Sequence, residues 1–278
     1  MSQRPVNTIL ITGCSSGIGY VTAKGLKERG YRVFASARKA EDVERLRQEG
    51  FEALQLDLDD SASIKKAVDQ VLEWTGGTLD ALFNNGAWGQ IGAVEDLSRE
   101  VLKAQFETNF FGTHELTNLV LPVMRKQGYG RILYNSSVLG FVALPFRGAY
   151  NASKFALEGL VDTLRLELYK TKIHPVLIEP GPILSKFREN AYHQFKQNID
   201  AQHSPYRDLY KKMEERLATE GPVVPFTLPA EAVLQKVIYA LESPRPKIRY
   251  YVTFPTYLFA FLRRILPFRL LDWVLRKV

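Results

Sequence analysis

Short β-branched runs alternate with longer segments of helical hydrophobic spacing over the first two-thirds of the chain. That alternation predicts a parallel sheet joined by crossover helices. Strands are expected at VNTILIT from Val6, YRVFASA from Tyr31, FEALQLD from Phe51, LDALFNN from Leu79, GRILYNSS from Gly130 and IHPVLIEPG from Ile173. Helical patterns fall between them: from Ile18 to Gly30, over AEDVERLRQEG from Ala40, from Ser61 with that serine available as N-cap, from Ser98 to Lys126, and from around Tyr150 to about Lys172. After Gly181 the pattern loosens, and residues 184–228 read as a helical excursion that would cover a substrate crevice. A helix near Pro229–Leu241 and a short strand at KIRYYVT from Lys247 complete the sheet. Residues 254–278 form two short helical segments divided at Pro267. The fold class expected is therefore α/β: a Rossmann-type doubly wound parallel sheet of about seven strands, with a helical lid and a helical tail. All 278 residues are read as a single domain without repeats.

Composition supports one sizeable core, with 46% hydrophobic and 12% aromatic residues. The single cysteine, Cys14, allows no internal disulfide, which fits a reducing compartment. MSQRPVNTIL lacks the basic segment and apolar stretch of a secretory signal, so folding in the cytoplasm is expected.

The net charge of +7 raises nucleic acid, an anionic cofactor or an acidic membrane as partner. From Lys236 onward nine Lys or Arg face two acids, so the excess belongs largely to the C-terminus. No zinc-finger, RNP or helix-turn-helix pattern accompanies it, and no nucleic acid is expected. The longest uncharged stretch there, Tyr250 to Leu262, is shorter than the roughly 20 residues that span a bilayer. Two readings of the tail stay open: a cap over the pocket or subunit contact, and an interfacial segment on the inner face of a membrane, with Phe268, Trp273 and cations at headgroup level.

ILITGCSSGIGY follows a strand and opens a helix, the setting in which glycines let backbone N–H groups approach a pyrophosphate. At the end of the second strand, where an acid would bind the adenosine ribose, Ala37 is followed by Arg38 and Lys39, which favours NADP(H) over NAD(H). The four histidines show no ligand spacing, and no metal is expected. Asp59 and Asp60 precede a helix and suit its N-terminal dipole.

Tyr150 and Lys154 are four apart and share a helix face, where a cation stabilises tyrosinate. Spacing alone carries little weight, because such pairs arise by chance. FNNGA, NSSVLG and IEPGP, however, end three strands at the same carboxyl edge, where α/β proteins place ligands.

Over roughly residues 6–250 the chain resembles the short-chain dehydrogenase/reductase family in its single-domain branch. The likeness is carried by TGCSSGIG from Thr12, NNGA from Asn84, Asn109 in TNFFGT, Ser137, the Tyr150–Lys154 pair and PGPILS from Pro180. It is nearest to hydroxysteroid and retinol dehydrogenase-type members and to bacterial NADP-dependent aldehyde reductases. The resemblance implies that Tyr150 exchanges the proton, Ser137 polarises the carbonyl oxygen, Lys154 holds the nicotinamide ribose and depresses the Tyr150 pKa, and Asn109 positions a water. It implies cofactor contacts from Gly13, Ser15, Ser16, Gly17, Ile18, Gly19, Arg38, Asp57, Leu58, Asn84, Asn85, Gly86, Tyr150, Lys154, Pro180, Gly181, Ile183 and Ser185. NNGA stands where the family usually has Asn-Asn-Ala-Gly, and Ser185 replaces the usual threonine while keeping the hydroxyl.

The function expected is hydride transfer between NADP(H) and a hydrophobic carbonyl/alcohol pair of retinal, steroid or long-chain aldehyde type, by an assembly of two or four copies. A catalytically silent NADP-binding sensor or scaffold and a β-ketoacyl reductase are the alternatives, the second made less natural by the tail after Val252.

Overall fold

The computed structural model describes residues 6–219, 221 and 224–277. Its strands are β1 (Thr8–Ile11), β2 (Arg32–Ala37), β3 (Glu52–Gln55), β4 (Ala81–Asn84), β5 (Gly130–Asn135), β6 (Ile173–Glu179) and β7 (Arg249–Tyr251), in one parallel sheet of order β3-β2-β1-β4-β5-β6-β7. Helices cover both faces, so β1 runs apolar from Ile9 to Ile11 rather than alternating. Its residues still divide by the strand period of two: Ile9 and Ile11 join one core layer and Leu10 the other. The first layer lies under α1 (Gly17–Glu28), α2 (Ala40–Gln48) and α9 (Glu231–Glu242). The second lies under α3 (Ser61–Thr75), α5 (Thr113–Gln127) and α6 (Gly148–Glu167). Strand order reverses between β1 and β4, and a crevice opens beyond the carboxyl ends of the strands at such a switch point.

Three local expectations change. Asp60, not Ser61, caps α3: its extended backbone lets the carboxylate accept from the Ala62 N–H at 2.9 Å, and Ser61 becomes the first helical residue. The long helix expected over Ser98–Lys126 is α4 (Arg99–Phe106) and α5 joined by a π-helical turn at Glu107–Gly112. The helix through Tyr150 ends at Glu167, short of Lys172.

Residues 184–228 contain α7 (Phe187–Asn198) and α8 (Arg207–Ala218); Phe195 of α7, Ile199 just after it and Tyr210 of α8 pack on Ile91 and Ala93. The Tyr210 hydroxyl donates to Asp96 at 2.5 Å and accepts from the Ala93 N–H at 2.7 Å, which ties the excursion to the loop after β4. The tail forms α10 (Phe254–Ile265) and α11 (Phe268–Leu275). Phe259, Ala260, Leu271 and Leu275 bury against Phe141 and Val142. Among the described residues no helix is long and apolar enough to cross a membrane.

Candidate active site

The turn between β1 and α1 needs glycine for two reasons. Gly13 (φ 72) and Gly17 (φ 56) sit in the left-handed region that side chains disfavour. Gly19 is required by space, because a Cβ there would run into the Gly13 carbonyl and the Asn85 amide. Ser16, at the N-cap of α1, makes no side-chain cap bond, and the first turn holds no acid. The leading N–H groups, in the half-buried segment of Ser15, Ser16, Gly17 and Ile18, are thereby left to an anion at the positive helix end. A dinucleotide pyrophosphate fits this cradle. Cys14 lies beneath it as filling: it is fully buried, its thiol donates to the Ile11 carbonyl at 3.2 Å, and burial pushes its pKa up to about 12.

At the next strand end Ala37 is buried and Arg38 exposed. The Arg38 carbonyl accepts from Gln55 at 2.9 Å. Lys39 pairs with Glu41 at 3.2 Å, leaving Arg38 as the guanidinium nearest the end of β2. A second cation, Arg45 of α2, reaches back to the Ser15 carbonyl at 2.6 Å and to Asp42 at 2.9 Å. Asp57 accepts from the Asp59 N–H at 3.1 Å, and Leu58 is buried beside Gly86.

The NNGA segment divides its labour. Asn84 turns inward and donates to Thr117 at 3.2 Å, holding the end of β4 from behind. Asn85 donates to the Thr12 carbonyl at 2.9 Å and accepts from Asn135 at 2.9 Å, lacing β1, β4 and β5 together. The buried Thr12 hydroxyl accepts from the N–H groups of Asn85 (2.9 Å) and Gly86 (2.8 Å).

α6 carries Tyr150 and Lys154 on the face turned to the end of β5. Both are buried. The Lys154 ammonium donates to the Asn135 carbonyl at 2.7 Å and lies 5.6 Å from the Tyr150 ring centre. Ser137, two residues beyond β5, accepts from the Leu139 N–H at 3.1 Å, and its hydroxyl acts on the Tyr150 phenol to hold its pKa down. Burial lowers the Lys154 pKa from 10.5 to about 8, while the Glu158 carboxylate pulls it back up. Burial prevails over the depression of the Tyr150 pKa expected from Lys154: it raises the phenol above its ordinary 10.0, with the Ser137 hydroxyl opposing it.

Asn109 lies in the π turn, and both donors and one acceptor position of its side chain are engaged. The amide accepts from the Trp88 N–H at 3.1 Å and donates to the Trp88 carbonyl at 2.9 Å and to Ser153 at 3.2 Å. A water at this residue would be held by the main chain or by the second lone pair of Oδ1.

Beyond β6, the Pro180 carbonyl accepts from the Val138 N–H at 2.8 Å, binding this loop to the one that carries Ser137. A Cβ on Gly181 would strike Thr253 and Thr256. Ile183 bridges to Leu228, and Ser185 comes opposite Gly17, across the phosphate cradle.

Several neighbours carried no sequence signal. Trp88 anchors Asn109, and the Phe187 ring meets the Tyr150 ring edge-on at 5.2 Å. Behind Lys154, Glu158 accepts from Ser136 at 2.5 Å and from Arg249 at 2.7 Å. Arg249 also reaches Glu179 at 3.1 Å and Asp162 at 2.6 Å. Burial raises the Glu179 pKa from 4.5 to about 9, helped by the Glu158 charge. Among the described residues its Oε2 has no partner as a carboxylate oxygen, whereas as a carboxylic acid Glu179 can donate to Glu158. An acid that follows a lysine by four residues reads in sequence as half of a surface ion pair. The partners that make Glu158 different arrive from β5, β6 and β7.

Residues 7–196 match the family model described as short chain dehydrogenase. The chain is 41% identical over 269 residues to the uncharacterized oxidoreductase YbbO of Escherichia coli K12, covering 97% of this chain and 94% of that one. It is 34% identical over 263 residues to 17-beta-hydroxysteroid dehydrogenase type 1 of Homo sapiens, covering 88% and 77%. A short-chain dehydrogenase/reductase of Burkholderia phymatum, solved with NAD, superposes with a TM-score of 0.76 at 24% identity over 95% and 94% of the two chains, a likeness of fold.

Proposed function

Because the chain belongs to the short-chain dehydrogenase family and is an oxidoreductase of it, we propose that it reduces a hydrophobic aldehyde or ketone with NADPH, using Tyr150 as proton donor. The observation that carries this reading is the meeting of Tyr150, Ser137 and Lys154 beyond the end of β5, beside the glycine cradle.

The cofactor, when bound, supplies the hydride that the carbonyl carbon accepts. Ser137 holds the carbonyl oxygen and orients it toward the Tyr150 hydroxyl. Tyr150 transfers its phenolic proton to that oxygen, and the nearby Lys154 ammonium stabilises the phenolate left behind. The high phenol pKa keeps Tyr150 protonated until charge develops on the oxygen. Asn109 fixes Trp88, and the main chain of the π turn or the second lone pair of Oδ1 holds a water through which the proton is replaced.

The phosphate groups would be held by the N–H groups from Ser15 to Gly19, and Ile183 with Ser185 would close over the nicotinamide end. The preference for NADP(H) rests on the exposed Arg38 after a buried Ala37. The hydrophobic substrate class is supported by the Phe187 ring beside Tyr150 and by similarity to a dehydrogenase named for steroids.

An NADPH-oxidation screen over aldehydes and ketones of increasing chain length tests the reading. Turnover should rise with apolar length, and Tyr150→Phe should reduce kcat by about 10²–10⁴-fold while NADPH still binds. Arg38→Asp should cut kcat/KM for NADPH by about 10–100-fold and spare NADH. Undiminished turnover in Tyr150→Phe would remove the proposed mechanism, and a preference for short polar carbonyls would remove the substrate class.

A further inference from the structure

The geometry points to an anionic lipid surface as the partner of α10 and α11. Phe254, Tyr257, Leu258, Phe261 and Ile265 are all exposed on α10. Their spacing of three, four, seven and eleven from Phe254 places them in one stripe along the helix. Thr256, Phe259 and Ala260, on the opposite side, are buried against the body of the protein. The stripe is thus the face α10 has left over after its own packing is satisfied.

Neighbouring elements extend it. Phe268, at the start of α11, is 87% exposed, and Leu270 and Trp273 follow it. Phe226, exposed and held at a left-handed φ of 61, packs at a tilt on Phe254 with ring centres 4.8 Å apart. A non-glycine residue in that backbone region is strained.

Charge selects the occupant. Residues 254–277 carry Arg263, Arg264, Arg269, Arg276 and Lys277 against Asp272 as the one acid. Arg263 and Lys277 face the rings of Phe155 (5.7 Å) and Trp273 (3.5 Å). A second copy docking through the same face would set these cations against their own kind. A lipid surface satisfies both halves of the pattern, taking the apolar stripe at the acyl boundary and the cations at its phosphates. Since neither helix can span a bilayer, the contact lies in the plane of the interface.

The tail is also joined to the crevice. Its buried side packs with Val138 and Leu139, the residues after Ser137, and Thr253 and Thr256 press on Gly181. On the oxidoreductase reading, docking would hold the crevice beside the phase in which an apolar carbonyl compound concentrates.

Co-sedimentation of the full chain, without cofactor or substrate, tests the docking separately from the chemistry. Vesicles of phosphatidylcholine with phosphatidylglycerol are compared with phosphatidylcholine alone. Binding is expected on the anionic vesicles, weakened by salt. Phe261→Asp and the double variant Arg263→Glu/Arg264→Glu should each lower partitioning by about tenfold or more, with circular dichroism and NADPH binding unchanged. Tyr150→Phe should bind vesicles as the unaltered chain does. Absence of binding, equal binding to neutral vesicles, or a lipid-free dimer that Phe261→Asp dissociates would each overturn the proposal and leave the oxidoreductase reading standing.

Discussion

Lys154 is pulled in two directions. Burial favours the neutral amine, and the Glu158 carboxylate one turn along α6 favours the ammonium. With its pKa at about 8, the group changes charge near working pH, whereas a lysine in water does so at its ordinary 10.5. Glu158→Gln removes the anion and should move the Lys154 midpoint below 8, read by NMR titration of the labelled side chain. A midpoint that does not move would show that Glu158 acts on Arg249 alone. The Tyr150–Lys154 pair was legible because a spacing of four is a helix-face relation within one element. The phenol pKa was not, since it follows from burial by residues distant in sequence.

Among the elements, the π turn at Glu107–Gly112 decides where Asn109 points. A widened turn inside a helix shifts every later side chain around the axis, a device found at functional sites. The hydrophobic period of Ser98–Lys126 could not reveal it, because α4 and α5 each keep ordinary helical spacing. Gly112 marks the place: a Cβ there would collide with the Leu58 carbonyl, so the turn lies directly against the chain after β3. Gly112→Ala should destabilise the fold by about 1–3 kcal/mol in urea titration and lower turnover as Asn109 moves. An alanine variant of full stability would mean that the turn backs away from Leu58 at little cost.

For the molecule as a whole, the cluster of Arg249 with Glu158, Asp162 and Glu179 fastens β6 and β7 to α6 behind the crevice. The Glu179 pKa is raised from 4.5 to about 9 on folding, so the folded protein keeps a proton that the unfolded chain releases. Its contribution to stability is complete below about 4.5 and is lost as pH rises through about 9. Glu179→Gln keeps the shape and the donor without the proton equilibrium. Thermal midpoints of the variant should therefore vary less with pH than those of the unaltered chain across that window. Parallel curves would place the proton elsewhere in the cluster.

The seven parallel strands, the glycine turn and the Tyr150–Lys154 helix face were determined by the sequence alone, because each rests on local periodicity or on backbone conformations few residues adopt. Tertiary structure alone decided the cap at Asp60, the π turn, the inward aim of Asn84, the raised Tyr150 phenol and the Glu158–Glu179–Arg249 cluster. These depend on packing and on the loss of water around charged groups, and both arise only when segments far apart in the chain are brought into contact. The tail shows both origins: its helices and their division at Pro267 came from local pattern, while the folded molecule selected which apolar face it buries and which it leaves exposed.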